Sequence, residues 1–435
     1  MDRHRSCEWY AILACLVATL SVTPAAQNPV SRPVQSGWTL ERLLAAALEG
    51  HPAIEAARAR VDVARGSRTA AGAPPNPVAI YSTEGSSFPG QGGSPLVESE
   101  KFAYVEMPLA PFFQRGSRIG RADEAIREAE AELLVVERRV ARDAARAFYR
   151  VAFSQAAAVA ARENRSAVDR LVEYLRARVA QGASPEGELI RAEVERDQTA
   201  TDVTFAEVDL VRAQSDLQPF LGRTPATLGP VEPAIPPPSG DPAVLPPLDQ
   251  FLQHAASRPE LVGARAKAAV ARAAVGEERS MRVREFGATF GLKRTAGVNS
   301  MIAGLNFSVP LFDQNRGAID RSTAEQLAAQ HELQWLERQV DSEIRGAYEI
   351  ARRLSAQLAD LQRSFLARAE ESSRITLAAY LEGAGSLLQA IDAPRTLAAA
   401  RLAYSRAHVA REESVLDLLI AAGYDPRQPG SGGVR

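Results

Sequence analysis

The chain has 435 residues, with 51 basic and 53 acidic side chains and an aromatic content of only 6%. This balance of charge gives no reason to expect a nucleic-acid partner, and the five histidines are scattered without a pair at metal-ligand spacing. Since the sequence also contains no glycine-rich phosphate loop and no nucleophile elbow, we expect no enzyme activity, no bound metal and no cofactor.

The first 26 residues have the pattern of a secretory signal peptide. Basic residues precede an apolar run over residues 9–20, and small residues follow up to Ala26. The run is too short to cross a bilayer as a helix, and the small residues are typical of a cleavage site. Both cysteines, Cys7 and Cys15, lie in this segment, so we expect no disulfide in the mature chain. Lipid modification of Cys15 is the alternative.

Two pairs of short segments alternate apolar and polar residues with the period of two that is typical of β-strands. The pattern is clear in residues 285–293 and 301–309, and weaker in residues 78–84 and 101–109. A tilted strand needs about nine to eleven residues to cross a bilayer. The sequence therefore predicts four strands of about that length, with an edge hairpin of a soluble sheet as the alternative.

A long helical hairpin is predicted after each pair of strands. Neither residues 112–184 nor residues 311–393 contain proline, and both segments are rich in Ala, Arg, Glu and Leu, which favour helices. In each segment a first helix of about 100 Å, at 1.5 Å per residue, is followed by a glycine-containing break and a shorter returning helix. The predicted helices are residues 116–180, 186–217, 317–381 and 387–421.

The two halves of the chain repeat one another at an offset of about 200 residues, so that Pro52 matches Pro259 and Gly182 matches Gly383. A repeat of this length exceeds the 20–50 residues of a solenoid unit, which indicates a duplicated half-molecule. The matching pairs Arg115-Gly116 and Arg316-Gly317 are expected to mark the change from strand to helix. The predicted divisions are a signal peptide (1–26), a first repeat (27–223), a proline-rich linker (224–247), a second repeat (248–424) and a disordered tail (425–435).

Four strands are too few to close a barrel, and an open sheet edge cannot lie in lipid. Closure needs about eight strands or more, which requires several copies of the chain. Three copies would supply twelve strands and twelve helical arms. The predicted fold is therefore mainly α with a small β part, as a trimeric 12-stranded β-barrel continued by a 12-arm α-helical barrel. A secreted coiled-coil scaffold without a pore is the alternative from a different functional class.

Short motifs recur in order in both halves. They are Val-Pro-Leu-Phe-Asp-Gln-Asn-Arg-Gly at residues 309–317, its counterpart at 107–116, the tip segments 380–383 and 386–388, and the closing segment 418–423. Together they resemble the outer-membrane efflux proteins of the TolC type across essentially the whole mature chain. The amino-acid sequence of residues 309–317 is most similar to that of the heavy-metal efflux branch, the CzcC-like proteins.

This resemblance implies a homotrimeric channel in the outer membrane of a Gram-negative bacterium, extending into the periplasm. It would contact outer-membrane lipid and serve a tripartite efflux system as a passive, gated exit duct. The implied partners are a periplasmic adaptor protein and an inner-membrane pump. The main interpretation is an RND-type pump for metal cations. Drug efflux and type I protein secretion are the alternative cargoes.

The resemblance also implies a gate near the start of the last helix. Positions that carry carboxylates in TolC match Gln389 and Asp392, and their first-half counterparts are Glu188 and Arg191. Three copies of Asp392 would form a ring that attracts cations and whose carboxylates repel one another. The amide at Gln389 should weaken that selectivity. Alternatively, these residues are solvated charges at helix starts.

The two glycine-containing breaks are the expected surface for the adaptor. Glycine permits the positive φ of a tight turn and the close approach of a partner, although ordinary helix caps would use the same residues. The candidate tip residues are Gly182, Ser184, Gly383, Gly385 and Ser386.

Overall fold

The structure is a computed structural model that describes residues 38–85, 99–221, 235 and 245–425. The predicted signal peptide, almost all of the proline-rich linker and the tail after Asp425 lie outside the described residues. Within the described part of the chain, no helix combines the length and the apolar character needed to cross a membrane.

The described strands form one antiparallel sheet in the order β1-β2-β3-β4. The two strands of each half are neighbours, and the halves join where β2 pairs with β3, with Tyr104 opposite Gly291. In the described residues the outer edges of β1 and β4 have no strand beside them. The strands are β1 (Val78–Glu84), β2 (Glu100–Pro108), β3 (Phe286–Thr295) and β4 (Val298–Phe307).

The strands β3 and β4 are longer at their connected ends than the alternating pattern predicts, so the turn between them is shorter. A two-residue turn joins them, in which Ala296 and Gly297 have φ angles of 53° and 80°. Positive φ at both central residues is the geometry of a type I′ turn, whose twist matches that of the flanking strands. Alanine rarely occupies such a position, so the sequence contains no usual turn motif at this point.

The helices have the following bounds, in chain order. They are α1 (Leu40–Gly50), α2 (Pro52–Gly72), α3 (Ala110–Ala180), α4 (Glu186–Leu217), α5 (Leu248–His254), α6 (Pro259–Ser280), α7 (Arg316–Asp360), α8 (Leu366–Leu381) and α9 (Leu387–Ala421).

The two long helices begin differently after their strands. Helix α3 starts at Ala110, directly after β2, and has Pro111 in its first turn, where proline's missing N–H costs no hydrogen bond. Arg115 and Gly116 therefore lie inside α3, and the prediction that they mark the strand-to-helix change was wrong. In the second half a non-helical loop, residues 308–315, separates β4 from α7.

A single long helix was predicted over residues 317–381, but the structure divides it. Between α7 and α8 the segment Leu361–Phe365 forms a π-helix, which accommodates one extra residue without ending the helix. Beside it, Leu358 and Tyr404 are buried together, with Ile235 from the linker packed against them.

The helices pack side by side. Helix α3 contacts α2 and α6 on the side of the sheet and α4 and α9 toward the breaks, whereas α7 contacts α6 and α9. One apolar core joins α1 to α3 and another joins α5 to α7 and α9. Fully buried alanines of α3, among them Ala141 and Ala144, allow this close approach, which explains the abundance of alanine over aromatic residues.

Candidate functional site at the paired hairpin tips

Each hairpin reverses direction in a five-residue turn with glycine in the left-handed conformation. Gly182 and Gly383 have φ angles of 70° and 83°, which side chains with a Cβ rarely adopt. The residue after each glycine donates its amide back to a helical carbonyl, Ala183 to Arg178 and Ala384 to Ala379, both at 2.8 Å. These bonds satisfy carbonyls at the helix end that otherwise have no partner.

The starts of the returning helices differ between the halves. Ser386 caps α9, because its Oγ accepts from the Gln389 amide at 3.4 Å and the Gln389 side chain accepts from the Ser386 amide at 3.1 Å. This reciprocal pair is a capping box. Ser184 lies just before Pro185, which occupies the same position ahead of α4 without a side-chain cap.

Gly385 lies against the end of α8. A Cβ built on it would come within 3.0 Å of the Tyr380 backbone nitrogen. The second turn is therefore tightly folded onto its own helix, and a larger residue would push it away.

The two tips pack against one another through an apolar cluster. Its members come from both arms of each hairpin, beside the turns, so the first and second halves of the duplication meet here directly. The cluster consists of Val168, Leu171, Val172, Leu175, Ala192, Tyr380, Leu387, Ala390 and Ile391.

A polar connection lies beside this cluster. The rings of Tyr174 and Tyr380 meet edge to face at 6.2 Å, and the Tyr174 hydroxyl donates to the Leu381 carbonyl at 3.2 Å. Arg178 in turn donates to the Tyr174 hydroxyl at 3.0 Å and to the Ala183 carbonyl at 2.9 Å. The first turn is thus held to the end of α8 by side chains of α3.

Sequence reasoning missed this tyrosine pair. A signal was present, because aromatic residues are scarce in the chain and both tyrosines lie within about two turns of a predicted break. Burial raises the pKa of Tyr380, so its phenol stays protonated across the physiological range.

The four gate candidates lie on the first two turns of α4 and α9. Asp392 and Arg191 are exposed and Glu188 is half-buried, while Gln389 is engaged in the capping box. Among the described residues of one chain, neither Asp392 nor Arg191 forms an ion pair. The structure therefore brings the four residues to the same end of the molecule without pairing their charges.

Pro394 lies inside α9, beyond its first turn, and is buried. Because proline has no N–H, the Ala390 carbonyl loses its helical donor. Pro394 also lines a crevice of about 340 Å³ between α3, α8 and α9, together with Asn164 and Arg170. The Asn164 side-chain oxygen is buried there without a hydrogen-bond partner in the described residues.

Arg401 is a second residue that sequence reasoning missed. Its guanidinium forms ion pairs with Glu163 on α3 and, at 3.2 Å, with Glu370 on α8. One side chain of α9 therefore connects the first hairpin to the second below the tips. Helical periodicity does not reveal such a contact, because it depends on which faces of three helices meet.

The described side chains at the tips do not cluster as metal ligands would. In the described part of the molecule, no group of three or more His, Cys, Asp or Glu side chains is placed to hold a metal ion. The arrangement can instead hold two hairpin ends together through apolar packing, and it presents their turns and charges to solvent.

A family model matches most of the chain. It is described as "Outer membrane efflux protein", and it matches residues 43–223 and 252–424. The match therefore falls in two parts, one in each half of the duplication.

Individual proteins are similar as well. The cobalt-zinc-cadmium resistance protein CzcC of Cupriavidus metallidurans is 26% identical over 310 residues, covering 69% of this chain and 72% of CzcC. The crystal structure of CusC superimposes with a TM-score of 0.71 at 19% identity, covering 92% of this chain and 99% of CusC. That of VceC from Vibrio cholerae has a TM-score of 0.71 at 18% identity, covering 88% and 96%. At these identities the structures establish a shared fold.

Proposed function

Since the chain belongs to the outer membrane efflux protein family, we propose that it is the exit duct of a tripartite efflux system for metal cations, driven by an RND-type pump. Membership makes it an outer-membrane efflux channel that extends into the periplasm, and not an enzyme. The predicted fold class, with its β-barrel and α-helical barrel, is confirmed by the shared fold. Channels of this family are trimers that work with an adaptor and an inner-membrane pump.

Assembly as a trimer is supported by the sheet, which has one apolar face, one polar face and two edges without a partner strand in the described residues. On one face Phe290, Leu292, Met301 and Leu305 are 61–68% exposed, although they are adjacent in the register. Such a large exposed apolar surface needs a cover, and lipid supplies it. The edges β1 and β4 need partner strands in lipid, and the neighbouring copies supply them.

The opposite face of the sheet suits a water-filled lumen. Asn306 donates to Glu106 at 2.8 Å, and Lys293 forms an ion pair with Glu100 at 2.7 Å. Polar residues inside and apolar residues outside are the pattern of outer-membrane barrels.

The outermost helices also carry apolar residues that one chain leaves uncovered. On α4, Ile190, Val194 and Phe205 are 54–66% exposed, and on α7, Trp335 and Ile350 are 67% and 55% exposed. These helices lie at the two ends of the row in one chain. In a ring of three copies, α4 of one copy meets α7 of the next. Assembly therefore covers the exposed apolar residues of both helices.

The cargo proposal rests on the relative CzcC, whose name states resistance to cobalt, zinc and cadmium. Deleting the gene should sensitise the host to these cations, and the wild-type gene should restore growth. Sensitivity to hydrophobic drugs alone would reassign the channel to drug efflux, and loss of a secreted protein alone would reassign it to type I secretion.

We further propose that the gate is at the tips and that Asp392 lines it. In a planar bilayer, replacing Asp392 with Ala should raise the single-channel conductance or relax the preference for cations, because the carboxylate ring is lost. Asp320→Ala is the matched control, since Asp320 is an exposed carboxylate on α7 about 90 Å along the helix from the tip. Equal currents in both variants would remove Asp392 from the gate.

Adaptor docking at the turns is tested separately. Gly182, Ser184, Gly383, Gly385 and Ser386 form or flank the two turns, so cysteines placed at the exposed Ala183 and Ala384 should cross-link to the adaptor. A cysteine replacing the exposed Asp320 should not. Absence of cross-links from both turns would place the adaptor elsewhere.

A further inference from the structure

One loop of the second half carries the most exposed large apolar side chain of the described residues. In the non-helical loop 308–315, Phe312 is 100% exposed and Leu311 is 71% exposed. No other large apolar side chain among the described residues is as exposed as Phe312. Exposure of an aromatic ring to water is unfavourable, so this position requires an explanation.

The loop is held in place by polar contacts. Asp313 forms an ion pair with Arg284 at 3.2 Å, and Arg284 also donates to the Asn315 side chain at 2.9 Å. Asn315 has a left-handed φ of 60°, and its side-chain amide donates to the Glu278 carbonyl at 2.8 Å. The residues that follow Phe312 are thus tied to Arg284 and Glu278, and these contacts hold the loop beside the end of α6.

The loop begins where the apolar face of the sheet ends. Phe286 and Phe307 are paired at the helix-proximal end of that face, and the Phe113 ring lies 6.0 Å from that of Phe286. Val309, which leads into the loop, is 59% exposed. The apolar face of the sheet therefore ends in aromatic side chains, and the loop that carries Phe312 begins directly after Phe307.

We propose that Leu311 and Phe312 form an interfacial anchor that inserts into the periplasmic leaflet of the outer membrane, among the phospholipid headgroups and the first chain carbons. The inference rests on the outer-membrane barrel proposed above. Aromatic residues concentrate at the boundary between lipid and water, and Phe312 lies at the corresponding end of the lipid-facing surface. The exposed Arg282 precedes β3 at this end, where its charge suits lipid phosphates.

The anchor is present in only one half of the duplication. In the first half α3 begins directly after β2, so no such loop forms, and the 76% exposed Phe113 lies on the helix beside Phe286. Each copy therefore has one loop of this kind, and a trimer has three. Three fixed points at one level would hold the barrel axis upright in the membrane.

The depth of Phe312 can be measured by tryptophan fluorescence. The full-length channel is prepared with Trp38 and Trp335 replaced by Phe; the remaining Trp9 lies in the predicted signal peptide. F312W is reconstituted in phosphatidylethanolamine–phosphatidylglycerol vesicles containing phospholipid brominated near the headgroup or near the chain ends. F312W should lose roughly half of its fluorescence with the shallow label and much less with the deep one, as expected for an interfacial ring.

Two matched variants separate failure of the anchor from failure of the barrel. F290W, on the exposed apolar face of the sheet, should be quenched by the deep label, and F205W, on α4, by neither. If F290W is quenched and F312W is not, the anchor proposal is wrong and the barrel stands. If neither is quenched, the barrel proposal fails as well. L311W repeats the test at the adjacent position.

Discussion

The two hairpins are copies of one unit, yet the first is reinforced and the second is interrupted. Helix α3 is continuous, and three ion pairs connect it to α4. In the second hairpin a π-helical segment separates α7 from α8, Pro394 removes a hydrogen bond inside α9, and in the described residues Arg401–Glu370 is the one ion pair between its arms. The three pairs of the first hairpin are Arg150–Asp216, Arg162–Glu207 and Arg176–Glu193, at 2.8–3.0 Å.

This difference indicates which hairpin bends. A π-helical segment and an internal proline both weaken the regular ladder of helical hydrogen bonds, so deformation costs least there. We infer that the first hairpin acts as a support and that opening of the tips moves the second hairpin against it. The contacts between the halves then oppose opening.

The largest effect is expected where the halves join in the sheet. Gly291 lies opposite Tyr104, and a Cβ built on it would come within 2.3–2.4 Å of Tyr104 and of the Ala103 carbonyl. Gly291→Val should therefore prevent β2 from pairing with β3 and abolish heat-sensitive trimers in the outer membrane. Gly66→Val, on α2 away from the sheet edges and with open space around it, should still assemble, and loss of trimers in both variants would contradict this explanation.

The second effect concerns the cluster that joins the tips. Leu175 is fully buried in it, and truncation of a buried leucine costs about 2–5 kcal/mol. Leu175→Ala should lower the unfolding midpoint in denaturant titrations and raise the open probability of the channel. Leu388→Ala is the control, because Leu388 is 58% exposed on the neighbouring helix. If both variants behave alike, the cluster does not hold the tips closed.

One contribution to the pH dependence should come from a buried histidine of the second hairpin, whereas the first hairpin contains no histidine. Burial lowers the pKa of His408 below its ordinary value of 6.5, with Glu412 acting in the opposite direction and Arg411 in the same direction. The unfolded chain therefore takes up the proton first on acidification. The stability that the neutral ring contributes is complete above the ordinary pKa and is lost as the pH falls through the lowered one.

The measurement compares thermal unfolding at about pH 7.5 and pH 5.5, on either side of the ordinary histidine pKa. The wild-type midpoint should fall on acidification, by less than the shift caused by Leu175→Ala. In His408→Gln that fall should shrink. His331→Gln, which changes an exposed histidine on α7, should keep it. An undiminished fall in His408→Gln would assign the acid sensitivity to other groups.

The sequence predicted the elements whose cause is local. Strand alternation, proline-free helices and glycine at the two breaks each depend on neighbouring residues, and they were sufficient for the fold class. Similarity between the halves was misleading where they differ, since Arg115-Gly116 lies inside a helix while Arg316-Gly317 begins one. The π-helical segment and the Tyr174–Tyr380 contact depend on packing between helices distant in sequence, which periodicity alone does not contain.

The smallest effect is expected at the link between the hairpins below the tips. Glu163→Gln removes one of the two ion pairs of Arg401, whose side chain is 34% exposed. Such partly exposed pairs contribute about 0.2–1 kcal/mol, so the open probability should rise by roughly 1.4- to 5-fold, as recorded in single-channel traces. Glu207→Gln removes a pair within the first hairpin and should leave the open probability unchanged. Equal responses would mean that the hairpins open together, and the distinction between support and moving arm would be lost.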